Sequence, residues 1–250
     1  MNSILLPKNA KSISNEQQIT HIKEVLKSKV GDSVTIAEMG GNIGKATIAQ
    51  INTKEVLLTD ITLDKKPPAK LDLTVILALP RPKVLRRLIM DMTSLGVNRL
   101  IIVNSYRTQK SYWQSPLLKR IDEFVFEGLQ QAIDTVPLEV EFQKRFKPFV
   151  EDDFPALLDG HKEQGNAVIA HPYASQSWRS YLDGLKSKNS HENSHKNSMP
   201  KVLCIGAEGG WIDYEVDLLC KHGCTSVSLG ARILRTETVV NVLLGSWLGK

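Results

Sequence analysis

The sequence predicts an α/β protein: a parallel sheet flanked by helices, preceded by a small β-barrel. The first observation is the stretch Lys201–Thr238. Its apolar, β-rich runs Val202–Ile205 and Ser226–Leu229 end in glycine turns, Gly206–Gly210 and Gly230. Helical runs follow, Asp213–His222 and another from Thr236. Strand, glycine turn and helix, repeated, is the pattern of parallel βαβα units. The second observation is a further unit upstream: a strand over Leu71–Leu79, a helix over Val84–Leu95 and a strand over Asn98–Val103. The third is the different character of residues 1 to about 70, where short alternating runs are joined by tight turns. Ligands of parallel sheets bind beyond the carboxyl ends of the strands, so both glycine turns mark the expected site.

In chain order, His21–Lys29 is a short amphipathic run with Ile22, Val25 and Leu26 on one face. Val34–Ile36, Ala46–Ile51 and Val56–Leu63 read as strands, with Gly40-Gly41-Asn42 as a turn between the first two. Several short strands with tight turns predict a small barrel. Lys65-Lys66-Pro67-Pro68-Ala69-Lys70 reads as an extended linker, because proline removes donors and the lysines favour water. The predicted domains are therefore 1–68 and 71–250. In the second, Arg81, Lys83, Arg86 and Arg87 stand at the start and outward face of the Val84–Leu95 helix. Ser105–Ser115 is a polar loop holding Tyr106, Arg107, Lys110, Tyr112 and Trp113. Interleaved cations and aromatics suit phosphate contact and base stacking; the plainer alternative is aromatics packing back onto the domain. A helix over Pro116–Ala132, a strand over Leu138–Phe142, a short helix over Phe154–Asp159 and a buried strand over Ala167–Ala170 follow. Residues 173–200, with seven serines and few aliphatics, read as a solvated mobile loop. The last helix, Thr236 to about Leu248, is apolar on most sides, so it is expected deep in the core or at a subunit interface.

Composition limits the function. The 250 residues are 42% hydrophobic and 24% charged, ordinary for a globular protein. No apolar run reaches the roughly 18 residues of a membrane span, and MNSILLPKNAKS lacks a secretory pattern. A cytoplasmic protein without membrane partners is expected. Three cysteines, Cys204, Cys220 and Cys224, give no disulfide framework. The net charge is +5, unevenly placed. Arg81–Arg120 holds nine Lys/Arg against one acid, and Ile121–Gly160 ten Asp/Glu against three Lys/Arg. Such segregation points to an anionic partner or to two solvated helix faces.

Three motif matches fail on context. His191-Glu192-Asn193-Ser194-His195 fits a zinc-protease pattern, but Ser, Asn and Lys surround it and no apolar stripe would dock the helix the chemistry needs. Gly40–Thr47 is one residue short of a phosphate loop, and Ala46 stands where a magnesium-binding hydroxyl would be. The pair Cys220 and Cys224 lacks a second cluster to complete a zinc site. No metal is expected.

Gly206-Ala207-Glu208-Gly209-Gly210, then Glu215, then Ser228-Leu229-Gly230-Ala231-Arg232-Ile233-Leu234-Arg235-Thr236-Glu237-Thr238, resembles the signature of the RsmE-type methyltransferases of the SPOUT class. That family methylates N3 of a uridine in small-subunit (16S) ribosomal RNA with S-adenosylmethionine. His21–Leu26 with Gly31-Asp32, Leu95-Gly96-Val97 and Ala170-His171-Pro172 are similar to other family segments. The resemblance implies a PUA-like RNA-binding barrel, a trefoil knot at the carboxyl terminus and a homodimer. It also implies a cofactor site from three loops: Ala170, His171 and Pro172; Ile205, Gly206, Glu208, Gly209 and Gly210; Leu229, Gly230, Ile233, Leu234, Arg235 and Thr236. Arg232, Arg235 and Glu237 are the catalytic candidates. Arg81, Lys83, Arg86, Arg107 and Lys110 are the candidates for RNA contact. Departures from the family pattern are Ala207 and Ala231 for proline, Ser94 for glutamate, Tyr106 for glutamate within Ser-Glu-Arg, and Leu129–Ile133 for Glu-Gln-Ser-Gly-Arg. They leave open a paralogue with another RNA target, or a non-catalytic RNA-binding or ribosome-assembly protein.

Overall fold

The computed structural model describes residues 1–158, 166–189 and 199–248. The chain divides into two compact units. One takes Met1–Lys70, Ile89–Gly96 and Asp122–Pro137; the other takes Leu71–Leu88, Val97–Ile121 and Leu138–Lys250. The first unit thus borrows two later segments as well as the amino-terminal stretch.

In the first unit, β1 (Ile4–Leu6), β2 (Ser12–Ile13), α1 (Glu16–Thr20), β3 (Ser33–Glu38), β4 (Ile43–Ile51) and β5 (Val56–Lys65) follow in order. The sheet order is β1-β3-β4-β5-β2. Strand β1 runs parallel to β3, and the other neighbours are antiparallel. Gly40, at φ 69, makes the β3–β4 turn in the left-handed region that glycine adopts without strain. Alternating residues of these strands fill one core, including Ile4, Leu6, Val34, Ile36, Ala46, Ile48, Val56 and Leu58. The Asn15 side chain caps α1 by accepting the Gln18 N–H. The chain then winds through a π-helical turn, His21–Val25. This turn corrects the predicted amphipathic face. Ile22 is fully buried, but Val25 is 65% and Leu26 49% exposed, because the wider winding turns them off the side an α-helix would bury.

The borrowed segments join this unit through buried polar contacts. Gln18 Nε2 donates to the Leu5 carbonyl at 2.8 Å and to Gln130 Oε1 at 2.7 Å. The backbone N–H groups of Asn2 and Ser3 donate to the Gln130 carbonyl. Thr135 Oγ1 donates to the Gly41 carbonyl, and Lys70 pairs with Asp134 at 2.8 Å.

The other elements are β6 (Leu71–Ala78), α2 (Pro82–Ser94), β7 (Val97–Val103), α3 (Ile121–Ala132), β8 (Glu139–Gln143), α4 (Phe146–Pro148) and α5 (Phe154–Leu158). After them come β9 (Ala167–Ala170), α6 (Trp178–Asn189), β10 (Val202–Ile205), α7 (Asp213–Lys221), β11 (Cys224–Val227) and α8 (Thr236–Leu244). The six strands of the second unit form one sheet, β11-β9-β10-β6-β7-β8, in which every pairing is parallel. The unbroken apolar runs of the interior strands β9 and β10 are those of strands covered on both faces, whereas the edge strand β8 alternates Glu and apolar residues and is partly exposed. One core layer joins Ile76, Ile101, Ile169 and Cys204 of the sheet to Phe149, Phe154, Trp211 and Leu219.

Two sequence expectations change here. Residues 173–200 are not simply a loop, since α6 occupies Trp178–Asn189. The helix is fixed by aromatics instead of aliphatics: Trp178 stacks on Tyr181 at 5.5 Å and on Trp247 at 5.7 Å, and all three are buried. The HExxH match lies outside the described residues. The last strand lies at Cys224–Val227 instead of Ser226–Leu229. Gly223, at φ 106, turns the chain after α7, so pairing with β9 begins at Cys224. Ser228 then leaves the ladder and exchanges backbone hydrogen bonds with Gln176 and Trp178.

Candidate active site

Three loops leave the carboxyl ends of the adjacent strands β11, β9 and β10, and they meet over one cavity. The loop after β9 is tied to the end of β11, with the His171 N–H donating to the Val227 carbonyl at 2.9 Å. The loop after β10 is tied to the start of α8, with Thr236 Oγ1 donating to the Gly206 carbonyl at 3.3 Å. The loop after β11 closes the ring through Ser228.

The second loop is very tight. A Cβ on Gly206 would stand 3.0 Å from Gly210 Cα and 3.1 Å from Trp211 N, both backbone atoms. A Cβ on Gly209 would strike the Arg107 stem at 2.9 Å. Arg107 packs along that bare glycine, and its guanidinium donates to the Gly209 carbonyl. Buried Glu215 holds the two loops to each other. Its carboxylate accepts the Tyr106 N–H at 2.8 Å and the Ile212 N–H at 3.0 Å, the second at the start of α7. Glu208 reaches another way and accepts the Arg81 N–H at 3.0 Å.

The cavity is built wholly from the second unit. Its wall includes Arg107, Ala170, His171, Pro172, Tyr173, Ile205, Gly206, Ala207, Glu208, Gly209, Gly210 and Trp211. Val227, Leu229, Arg232, Ile233, Leu234, Thr236 and Val239 complete it. Two polar atoms belonging to lining residues, His171 Nδ1 and Trp211 Nε1, are buried without a protein hydrogen-bond partner. Burial, opposed by the charge of Asp213 and helped slightly by that of Arg107, lowers the His171 pKa and favours the neutral imidazole. Glycine backbone and apolar side chains make a wall that fits a nucleoside with a charged tail. Among the described residues, no three His, Cys, Asp or Glu side chains gather in metal-binding geometry.

Most of the residues expected in the three loops line this cavity. Gly230 and Arg235 do not, although their neighbours do. Glu237 also lies off the wall. It forms an ion pair with Arg87 at 2.7 Å, and that hydrogen bond is the main reason its carboxyl pKa is lowered. Arg235, which could have paired with Glu237, is exposed. Of the five cations considered for RNA, Arg107 lines the cavity; Arg81, Lys83, Arg86 and Lys110 are exposed and off its wall. Trp113 of the same loop packs back onto the sheet, donating to Asn104 Oδ1 at 2.8 Å and meeting Phe142 edge-on. Sequence reasoning did not single out Tyr173, Trp211, Val227 and Val239. Only Tyr173 carried a visible signal, as the residue directly after His171-Pro172. The departures at Ser94 and Leu129–Ile133 belong to the first unit and do not line the cavity.

Comparison with known proteins agrees with this geometry. Relatives along most of the chain are ribosomal RNA small subunit methyltransferases E. That of Treponema pallidum is 26% identical over 89% of this chain and 79% of its own. That of Rickettsia conorii is 26% identical over 95% of this chain and 89% of its own. Solved structures share the fold. The Neisseria gonorrhoeae methyltransferase E bound to S-adenosyl methionine superposes with a TM-score of 0.69 at 19% identity, covering 98% of this chain and 96% of that one. A Legionella pneumophila protein in complex with the same cofactor gives 0.71 at 20% identity, with the same coverage of both chains. Residues 67–248 match the family model described as an RNA methyltransferase domain, and the chain belongs to that family.

Proposed function

We propose that this protein is an S-adenosylmethionine-dependent methyltransferase that modifies N3 of a uridine in small-subunit ribosomal RNA. The observation that carries the proposal is the cavity itself. Three loops from neighbouring parallel strands bring a glycine cradle, apolar side chains and Arg232 to one cavity, and the loop after β7 adds Arg107 to its wall. That set suits a methyl donor and an RNA base together.

When bound, S-adenosylmethionine supplies a methyl group on a sulfonium centre, which leaves without acid or metal. The chain's own residues have two tasks, to hold the acceptor nitrogen in line and to lower its proton affinity. The uracil ring N–H is weakly acidic, and nearby guanidinium charge stabilises the anion left when its proton passes to solvent water. That Arg107 and Arg232 both line the cavity supports this role for them. Glu237, ion-paired and off the wall, serves to hold the start of α8. Exposed Arg81, Lys83, Arg86, Lys110 and Arg235 are assigned to phosphate contact, and the first unit to RNA binding as a PUA-like barrel. In keeping with the family resemblance, we take the carboxyl-terminal segment to be knotted, the enzyme to be a cytoplasmic homodimer, and its substrate to be the RNA or the assembled small subunit. Exposed Val242 and Leu248, on an otherwise apolar final segment, support a dimer face.

The test is mass spectrometry of ribosomal RNA nucleosides from cells with and without the gene. The 3-methyluridine of the small subunit should disappear on deletion and return with the intact gene. An unchanged nucleoside profile would refute the reading.

A further inference from the structure

Tyr173 directly follows the first cavity loop and lines the cavity, yet its side chain is 80% exposed. A tyrosine this exposed adds little to folding, because its ring keeps most of its contact with water. Its orientation is nevertheless set. The ring meets His171 edge-on, with centroids 5.6 Å apart and planes at 74°. This T-shaped contact spends the edge of one ring on the face of the other and anchors Tyr173 to the wall. Ile233, 69% exposed, lines the same cavity, as does the exposed Arg232. A planar aromatic, a bare aliphatic and a cation are therefore all held where the cavity opens to solvent.

We propose that Tyr173 is the stacking platform for the target base, receiving a pyrimidine turned out of the RNA and presenting its ring nitrogen to the cavity. This rests on the methyltransferase reading above and adds a specificity residue to it. A base that is to be modified must leave its stack and exchange those contacts for others, commonly an aromatic side chain. The exposed position suits that ligand better than the methyl donor. A cofactor held by the loop backbones needs enclosed walls, whereas an incoming base arrives from solvent and needs a face that is already bare. Arg232 complements it, since a base losing its N3 proton becomes an anion while stacked.

The experiment compares the full-length protein with Tyr173→Ala and Tyr173→Phe. Methyl transfer is measured on small subunits purified from cells lacking the gene, and S-adenosylmethionine affinity by calorimetry. Base–aromatic stacking of about 1–3 kcal/mol corresponds to a roughly 5- to 150-fold effect. The expected result is a rise of that order in KM for the subunit with Tyr173→Ala, cofactor Kd within about twofold, and near wild-type behaviour for Tyr173→Phe, which keeps the ring. Transfer by the wild type with an unchanged subunit KM in Tyr173→Ala would overturn the stacking role and leave the methyltransferase reading intact. So would a loss confined to cofactor affinity, which would assign the ring to the methyl donor, or a loss in Tyr173→Phe equal to that in Tyr173→Ala. Absence of transfer by the wild type would overturn the methyltransferase reading, and the stacking proposal with it.

Discussion

Glu215 is almost fully buried, and its two carboxylate oxygens each accept one backbone N–H, from Tyr106 and from Ile212. A buried carboxylate survives only where its acceptors are used. Here both are spent on joining the Arg107 loop to the loop after β10. Glu215→Gln keeps the shape but turns one acceptor into a donor, so one backbone N–H would face another donor. The expected loss is about 1–3 kcal/mol of stability, read from urea unfolding, with weaker cofactor binding because Arg107 and Gly209 lose their alignment. A stability equal to wild type would show that the two hydrogen bonds are unimportant. Gly206 gives a second prediction at this scale. Its missing Cβ faces backbone atoms of Gly210 and Trp211, which cannot rotate away as a side chain can. Gly206→Ala must open the turn, and calorimetry should show cofactor affinity falling at least about tenfold, which is about 1.4 kcal/mol. Neither residue's partner was legible in the sequence. The glycine pattern marked the turn, but Arg107 lies far from Gly209 in the chain, and only the fold brings its stem there.

At the scale of elements, helix α8 begins beside the cavity and its first turn carries Glu237, held by Arg87 of α2. The Arg87 hydrogen bond depresses the Glu237 pKa below the ordinary carboxylate value. A carboxyl depressed on folding contributes stability above its unfolded pKa, about 4.3, and loses it as pH falls through the lower folded value. The pair is partly exposed, with side-chain exposures of 60% and 23%, so its coupling should be small, about 0.2–1 kcal/mol. A double-mutant cycle with Arg87→Ala and Glu237→Ala should find that coupling at pH 7 and find it vanishing in acid, below the glutamate range. A coupling that persists at low pH would mean contacts other than the ion pair. Elements also show what period-based reading can reach. Strands β9 and β10 stand at their predicted bounds because each is an unbroken apolar run. Strand β11 slid by two residues because Ser226 and Ser228 look alike in sequence while only one pairs with β9. Helix α6 was unreadable by aliphatic period because Trp178 and Tyr181 do the work of its apolar stripe.

At the scale of the molecule, the proline-rich linker suggested that the amino-terminal residues form a domain by themselves. The compact unit instead includes Ile89–Gly96 and Asp122–Pro137. No local pattern could announce this, because the joining contacts pair residues far apart in the chain, such as Gln18 with Gln130, 112 positions away. These contacts are buried and polar. Gln18 and Gln130 are both closed off from solvent, and the Lys70–Asp134 ion pair has side-chain exposures of 11% and 5%. A fragment of residues 1–68 would lack every one of these later partners. Gln18 Nε2 would keep Leu5 but lose Gln130, and the Gly40 N–H would lose the Thr135 carbonyl. A unit of this size has little stability to spare, and losing several buried hydrogen bonds at about 1 kcal/mol each is enough to remove it. The fragment is therefore expected to give a poorly dispersed amide NMR spectrum and no cooperative thermal transition, while the full chain unfolds cooperatively. A dispersed spectrum with a sharp melt for residues 1–68 would show that the strand core of Ile4, Val34, Ile48 and Val56 suffices without the borrowed segments.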